Sequence, residues 1–229
     1  MFTCGIDVGS VSAEAVILDR SNGIFQISAY VISPTGGDSK EAAIRVFNQA
    51  LQKASLNKEM VKTVVATGYG RLNIPFANKN ITEISCHARG VINYFPQTRT
   101  VIDIGGQDSK VIKLDSAGNP SDFLMNDKCA AGTGRFLEVM SKALDIDLKS
   151  FTEIFEKTAE RVDISSTCTV FAESEIVSLV GHGTDKNKII KGLVYSISNR
   201  IISMVERLGL EEPVCMTGGV AKNGAVVHA

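Results

Sequence analysis

The chain has 229 residues, five cysteines and a formal net charge of −1. That length allows one large domain or two small ones with sizeable cores, and interspersed charges exclude a generic nucleic-acid or anionic-membrane binder. No apolar run is long enough to span a bilayer, no basic-then-apolar leader opens the chain, and widely spaced, odd-numbered cysteines without a CxxC pair fit a reducing cytoplasm.

Phe2 to Val8 reads as a buried strand, followed by the tight turn Asp7-Val-Gly-Ser10 and a returning strand from Ala13 to Asp19. Asp7 thus ends a strand beside Gly9, Ser10, Val11 and Ser12. Glycine lets a phosphate approach the backbone, amides and hydroxyls supply donors, and a carboxylate can hold Mg²⁺ through water. An ordinary hairpin with an Asx-type turn fits the same residues. Ile24 to Ile32 is a third strand. Lys40 to Ala54 is an amphipathic helix with Ala43, Val46, Phe47, Ala50 and Leu51 on one face. A strand from Val61 to Thr67 ends in the glycine loop Gly68-Tyr-Gly-Arg71, read as a strand-to-loop turn. The helix Ile84 to Tyr94 carries Cys86-His87, adjacent residues that do not share a helix face and make a poor metal pair.

Thr100 to Ile104 and Lys110 to Leu114 flank Asp103-Ile-Gly-Gly-Gln-Asp-Ser109, a second copy of strand, aspartate, glycines, hydroxyl and returning strand. Two such hairpins can grip one polyphosphate, with Gln107 and Asp108 as candidates to orient an attacking water. After a short strand, Phe123 to Asn126, Cys129 and Gly132-Thr-Gly134 enter a helix whose apolar stripe runs from Phe136 to Leu144. Ala130 to Arg135 is not a Walker A loop, because its lysine and Ser/Thr are missing. A short helix, Ser150 to Lys157, precedes Cys168. A helix over Phe171 to Val180 is expected to turn Ile176, Val177, Leu179 and Val180 inward. One long helix follows, Asp185 to Leu208. The strand Pro213 to Met216 then runs into Thr217-Gly-Gly219 and a further helical start, a natural seat for a nucleoside.

Cys129 and Cys168 each stand at the entrance of a helix, where the dipole favours a thiolate, whereas Cys4 and Cys215 lie in apolar strands and read as packed core thiols. Two thiolates cannot saturate a tetrahedral metal or a cubane cluster, which takes about four ligands. A two-fold dimer would supply two plus two. The alternative is a pair of redox-inert thiols.

Five segments together resemble the activator ATPases of 2-hydroxyacyl-CoA dehydratases and the related ATPase subunits of benzoyl-CoA reductases, the BadF/BadG/BcrA/BcrD type. They are Gly5-Ile-Asp-Val-Gly-Ser10, Val101-Ile-Asp-Ile-Gly-Gly-Gln-Asp108, Met125 to Phe136 around Cys129, Ile164 to Glu175 around Cys168, and Met216-Thr-Gly-Gly-Val-Ala221. The resemblance implies an α/β, ribonuclease-H-like fold of the actin and sugar-kinase superfamily, with one half over residues 1–95 and a second over 96–229. It implies a homodimer with one [4Fe–4S] cluster held by Cys129 and Cys168 of each subunit. ATP and Mg²⁺ would sit in the cleft between the halves, with phosphates on Gly9, Ser10, Val11, Ser12 and Ala13 and on Gly105, Gly106 and Gln107. Gly218 and Gly219 would support the nucleoside, and Asp7 and Asp103 would lie near Mg²⁺. ATP hydrolysis would drive a low-potential electron, supplied by ferredoxin or flavodoxin, to a partner 2-hydroxyacyl-CoA dehydratase.

The sequence departs from the family's pattern at two places. Glu14 stands in the region where the family often carries a lysine, which is expected to weaken phosphate contacts from the first turn. The family usually continues past the Gly218-Gly219 region with a further strand and helix, and the chain ends at Ala229; impaired nucleotide affinity or closure is expected if that is the natural end. A nucleotide-binding regulatory module, an ATPase subunit of a benzoyl-CoA reductase-type enzyme and a metal-stapled structural dimer are the competing readings. A sugar kinase fits less well, because no catalytic-base loop is found.

Overall fold

Alternation along Phe2–Val8 puts Cys4, Ile6 and Val8 on one buried face, the pattern of a half-covered strand, and this is β1. It pairs antiparallel with β2 (Ser12–Ser21), which buries Ala13, Ala15 and Ile17 on the same side. The third strand, β3 (Ile24–Pro34), extends the sheet as its edge. Helix α1 (Ser39–Ala54) starts where the Asp38 carboxylate accepts from the amides of Lys40 and Glu41 at 2.8 and 3.1 Å, and it stops at Ser55 in the left-handed conformation. It lays Ala43, Val46, Phe47 and Ala50 over β1, β2 and β3. Next come β4 (Val61–Thr67), parallel to β1, and the two-residue β5 (Lys79–Asn80), giving the order β3-β2-β1-β4-β5. The computed structural model describes residues 1–21, 23–165 and 168–229.

Helix α2 (Glu83–Tyr94) leads to a second sheet. There β6 (Thr100–Ile104) pairs antiparallel with β7 (Ser109–Leu114), which pairs antiparallel with β8 (Pro120–Asn126). Helices α3 (Gly134–Leu144), α4 (Phe151–Lys157), α5 (Thr169–Gly181) and α6 (Lys186–Leu208) follow. The strand β9 (Val214–Thr217) then inserts parallel to β6, before the short α7 (Gly224–His228). The order β8-β7-β6-β9 repeats β3-β2-β1-β4 strand for strand, with the same parallel and antiparallel neighbours. The internal repeat read in the two Asp-Gly hairpins is therefore a repeat of whole sheets.

The chain divides into two compact units, Met1–Cys86 and His87–Ala229, so the boundary falls within α2, upstream of the expected one at 95/96. Each unit closes its own apolar core: Ile6, Ile17, Val46 and Phe47 in the first, Phe136, Leu144, Phe151 and Ile176 in the second. α5 departs from expectation in one respect. Ala172 and Ile176 face inward, but Val177 is 60% exposed, as are Val170 and Phe171 at 69% and 67%. No helix among the described residues is long and apolar enough to cross a membrane.

Candidate functional site

The two hairpin turns are built alike. Gly9 donates its amide to the carbonyl of Ser12 at 2.9 Å, and Gly105 donates to the carbonyl of Asp108 at 2.9 Å. A Cβ on Gly105 would lie 2.7 Å from Asp108 Oδ1 and 3.3 Å from the Asp108 carbonyl oxygen, so a side chain there would displace the Asp108 carboxylate. Ser10, Val11 and Gln107 are exposed at the tips, and Gly106 is half-buried. Ala13 lies inside β2 with its side chain in the core, which leaves only its backbone for a ligand.

Each aspartate ends its central strand beneath a close-packed glycine. Asp7 is level with Thr67 on β4 and Asp103 with Thr217 on β9. The next residues, Gly68 and Gly218, have φ of +81° and +85°. A Cβ on either would fall within 2.7 Å of the aspartate's Oδ1. In the Gly68 loop, Arg71 pairs with Glu83 at 3.2 Å and donates to the carbonyl of Gly68 at 3.0 Å.

The repeats differ in what faces the aspartate. Across the antiparallel ladder Asp7 stands opposite Glu14, but Asp103 stands opposite Lys110. Asp103 and Lys110 are each 3% exposed. Lys110 Nζ lies 3.4 Å from Asp103 Oδ2 and 2.8 Å from Asp108 Oδ2. His87 Nε2 lies 3.4 Å from Asp103 Oδ2, and the Thr217 hydroxyl donates to Asp103 Oδ1 at 3.1 Å. Three groups thus already face this carboxylate, an arrangement that suits contact with a hydrated Mg²⁺ ion rather than direct coordination.

Glu14 carries the opposite problem. Burial raises its pKa, a hydrogen bond from Ser12 only partly offsetting it, and its cross-strand neighbour Asp7 is another acid. A carboxyl whose folded pKa is raised holds more protons folded than unfolded, so its contribution to stability falls as pH rises from the unfolded value through the folded one. Glu14→Gln is therefore expected to raise the melting temperature at neutral pH and to lose that advantage below the ordinary carboxylate range. Melting curves at the two pH values check this; a variant no more stable at neutral pH contradicts it.

The cysteines separate by environment. Burial pushes the Cys4 thiol up to about 12 and also raises Cys86 and Cys215. Cys168 is the N-cap residue of α5, with no hydrogen bond from its side chain to the helix. Cys129 is not a cap: α3 begins later, with Thr133 as its N-cap. Its loop is held instead from β8, where the Asn126 amide donates to the carbonyls of Cys129 and Ala131, both at 2.9 Å. The first amides of α3 are also engaged, Gly134 N–H with the carbonyl of Gly105 at 2.9 Å and Arg135 N–H with that of Gly106 at 2.7 Å. The helix behind Cys129 is thus bonded straight onto the second glycine turn, and it packs against α5 behind Cys168. Among the described residues no cluster of three or more His, Cys, Asp or Glu side chains suits a metal ion within one chain. Ser166 and Thr167 of the second cysteine motif lie outside the described residues.

Sequence reasoning missed Asn126, Lys110, His87 and Thr217. Lys110 had a signal, since it occupies in the second hairpin the place of Glu14 in the first. His87 and Thr217 meet Asp103 only through tertiary contacts, whereas Asn126 bonds to carbonyls three and five residues on.

Two α/β units with one strand order, each ending its central strand in an aspartate beside a glycine-closed turn, define a ribonuclease-H-like protein of the actin and sugar-kinase ATPase superfamily. The model of the BadF/BadG/BcrA/BcrD ATPase family matches residues 4–229, and the chain belongs to that family. The activator of lactoyl-CoA dehydratase from Anaerotignum propionicum is 50% identical over 229 residues, which is 100% of this chain and 87% of that protein. The structure of the activator of the 2-hydroxyisocaproyl-CoA dehydratase from Clostridium difficile with bound ADPNP matches with a TM-score of 0.90 at 46% identity, over 100% of this chain and 84% of that one. Component A of the (R)-2-hydroxyglutaryl-CoA dehydratase of Acidaminococcus fermentans matches with a TM-score of 0.92 at 44% identity, over 100% and 86%.

Proposed function

We propose that this protein is an ATP-hydrolysing activator of a 2-hydroxyacyl-CoA dehydratase. It would act as a homodimer whose subunits each lend Cys129 and Cys168 to one [4Fe–4S] cluster. The observation that carries this reading is the hydrogen-bonded path from the Gly105–Asp108 turn into α3, whose preceding loop bears Cys129. A phosphate held or lost at that turn acts on the carbonyls of Gly105 and Gly106, and so on the helix fixed to them.

The residues fit half of a shared cluster. Both thiols are partly exposed, and burial raises the pKa of the three other cysteines. Val170, Phe171 and Val177 are exposed on the helix that Cys168 caps, apolar side chains that a second copy would cover. When bound, the cluster supplies a one-electron carrier of low potential, reduced by ferredoxin or flavodoxin, for the radical dehydration in the partner enzyme. The chain's own part is to present four thiolates per dimer, to bind ATP·Mg²⁺ through the Gly9–Ser12 and Gly105–Asp108 turns, and to orient the attacking water with Gln107 near Asp103. Gly218 and Gly219 would support the nucleoside.

The test is reconstitution under anaerobic conditions: protein, ATP, Mg²⁺, a reduced ferredoxin and a 2-hydroxyacyl-CoA dehydratase component. Dehydration is expected only when ATP is present and hydrolysed. Asp103→Asn is expected to slow hydrolysis by about 100-fold, as expected when a positioning group is lost, and to leave the iron content intact. An iron-free dimer that hydrolyses ATP yet activates nothing would identify a regulatory module instead.

A further inference from the structure

We propose that His87 is a positioning residue for ATP hydrolysis, holding the Asp103 carboxylate in place beside the Gly105–Asp108 turn; the proposal rests on the ATPase reading above. The ring presents both nitrogens to the same spot. Nε2 is 3.4 Å from Asp103 Oδ2, and Nδ1 is 3.4 Å from the hydroxyl of Thr217, which itself reaches Asp103 Oδ1 at 3.1 Å. On the far side Lys110, buried with the aspartate, ties Oδ2 to Asp108 at the base of the turn. His87, Thr217 and Lys110 therefore come from three elements, α2, β9 and β7, and fix one buried carboxylate from three directions. Distances of 3.4 Å are long for hydrogen bonds, as is common at catalytic groups before the reacting complex forms.

Fold maintenance does not account for this arrangement, because the molecule contains a control. The first unit has the same sheet order, the same aspartate at the strand end, the same threonine level with it and the same positive-φ glycine. Where the second unit has Lys110, the first has Glu14, and the neighbour from α2 is Cys86 rather than histidine. Burial dominates the Cys86 thiol, with Thr67 and the charge of Asp7 acting more weakly. The hydroxyl of Thr67 finds no partner at hydrogen-bond geometry among the described residues. The first unit keeps the same sheet order and turn with Glu14 and Cys86 where the second has Lys110 and His87, so the choice of those two residues at Asp103 asks for another reason. Holding a carboxylate to within a fraction of an ångström of where water or hydrated Mg²⁺ must sit is such a reason.

The experiment compares wild type, His87→Ala and His87→Gln, whose amide can still donate to Asp103. The measurements are steady-state ATP hydrolysis, binding of the non-hydrolysable analogue ADPNP, iron content and melting temperature. His87→Ala is expected to lower kcat by about 10- to 100-fold, with the ATP KM, ADPNP affinity and iron content within about 3-fold of wild type, a span of under ~0.7 kcal/mol. His87→Gln is expected to recover a large part of the rate. Equal kcat in all three proteins overturns the proposal. So does a rate loss that follows the melting temperature and is the same for Ala and Gln, which would mark a structural contact. A wild-type protein that binds ADPNP but hydrolyses no ATP overturns the ATPase reading and this inference with it. An active wild type with an unaffected His87→Ala variant overturns the inference alone.

Discussion

Cys129→Ala and Cys168→Ala are each expected to purify without iron, whereas Cys4→Ala and Cys215→Ala retain about four irons and four sulfides per dimer. The contrast follows from environment. Cys4 sits in the core of the first unit with its thiol pushed up to about 12, and Cys215 is raised by burial as well; a thiol that resists deprotonation is a poor ligand. Cys168 caps α5, where the helix N-terminus favours an anion, and Cys129 rides on a loop whose carbonyls are clamped by Asn126. Because four thiolates are needed and one chain supplies two, loss of either cysteine removes two ligands per dimer, and partial retention of the cluster is not expected. Iron and sulfide analysis with the visible absorption spectrum under anaerobic conditions reads the result. Full iron in Cys168→Ala, or loss of iron in Cys4→Ala, means that other thiols hold the metal. ATP hydrolysis should survive in both ligand variants, since neither cysteine belongs to the hairpin turns.

The strand-and-helix framework was readable because its signals are local. Alternation in Phe2–Val8 and Ser12–Ser21, the apolar spacing over Lys40 to Ala54 and the Asp-Gly turns each involve residues close in sequence. The paired hairpins at Asp7 and Asp103 also announced the repeat, and the strand orders carry it through both sheets. The surroundings of Asp103 were not legible in the same way. His87 and Thr217 reach it from another helix and another strand, and nothing in Cys86-His87 as a dipeptide marks the histidine as an aspartate partner. The two cysteine motifs looked alike in sequence, Cys followed by a helix. Yet Cys168 is a cap and Cys129 precedes one by several residues, because Gly132, at φ of +89° over Arg200, and the Thr133 cap delay the start of α3. Val177 was assigned inward from the apolar character of its helix. With Glu173, Ser174, Glu175 and Ser178 spread around it, this helix has no clean polar face to set against an apolar one, and Val177 falls outside the core.

Gly218 and Gly219, adjacent and alike in sequence, are expected to respond to alanine in opposite ways. Gly218 has φ of +85°, and a Cβ there would lie 2.3 Å from the carbonyl oxygen of Ile104 and 2.7 Å from Asp103 Oδ1. With ψ of 173° as well, the backbone lies in a region essentially reserved to glycine, which costs an alanine roughly 1–3 kcal/mol. The clash is with backbone that β6 and β9 hold in register, so it is relieved only by parting the strands. Gly218→Ala should therefore lose on the order of 3 kcal/mol or more of stability, in the range of strain and overpacking combined, and should lose ATP hydrolysis through displacement of Asp103. Gly219 has no atom within 4 Å of a would-be Cβ and is exposed at the start of a short 3₁₀ turn. Gly219→Ala should hold its stability within about 0.5 kcal/mol, the usual span for an exposed position. Any effect it has should appear as weaker nucleotide binding. Denaturant midpoints and ADPNP affinities for the two variants separate the two roles: closure of the strands on Gly218, and the space for a nucleoside proposed at Gly219. If Gly218→Ala proves as stable as wild type, the close approach to Ile104 does not hold in solution; if Gly219→Ala leaves nucleotide affinity untouched, the nucleoside lies elsewhere.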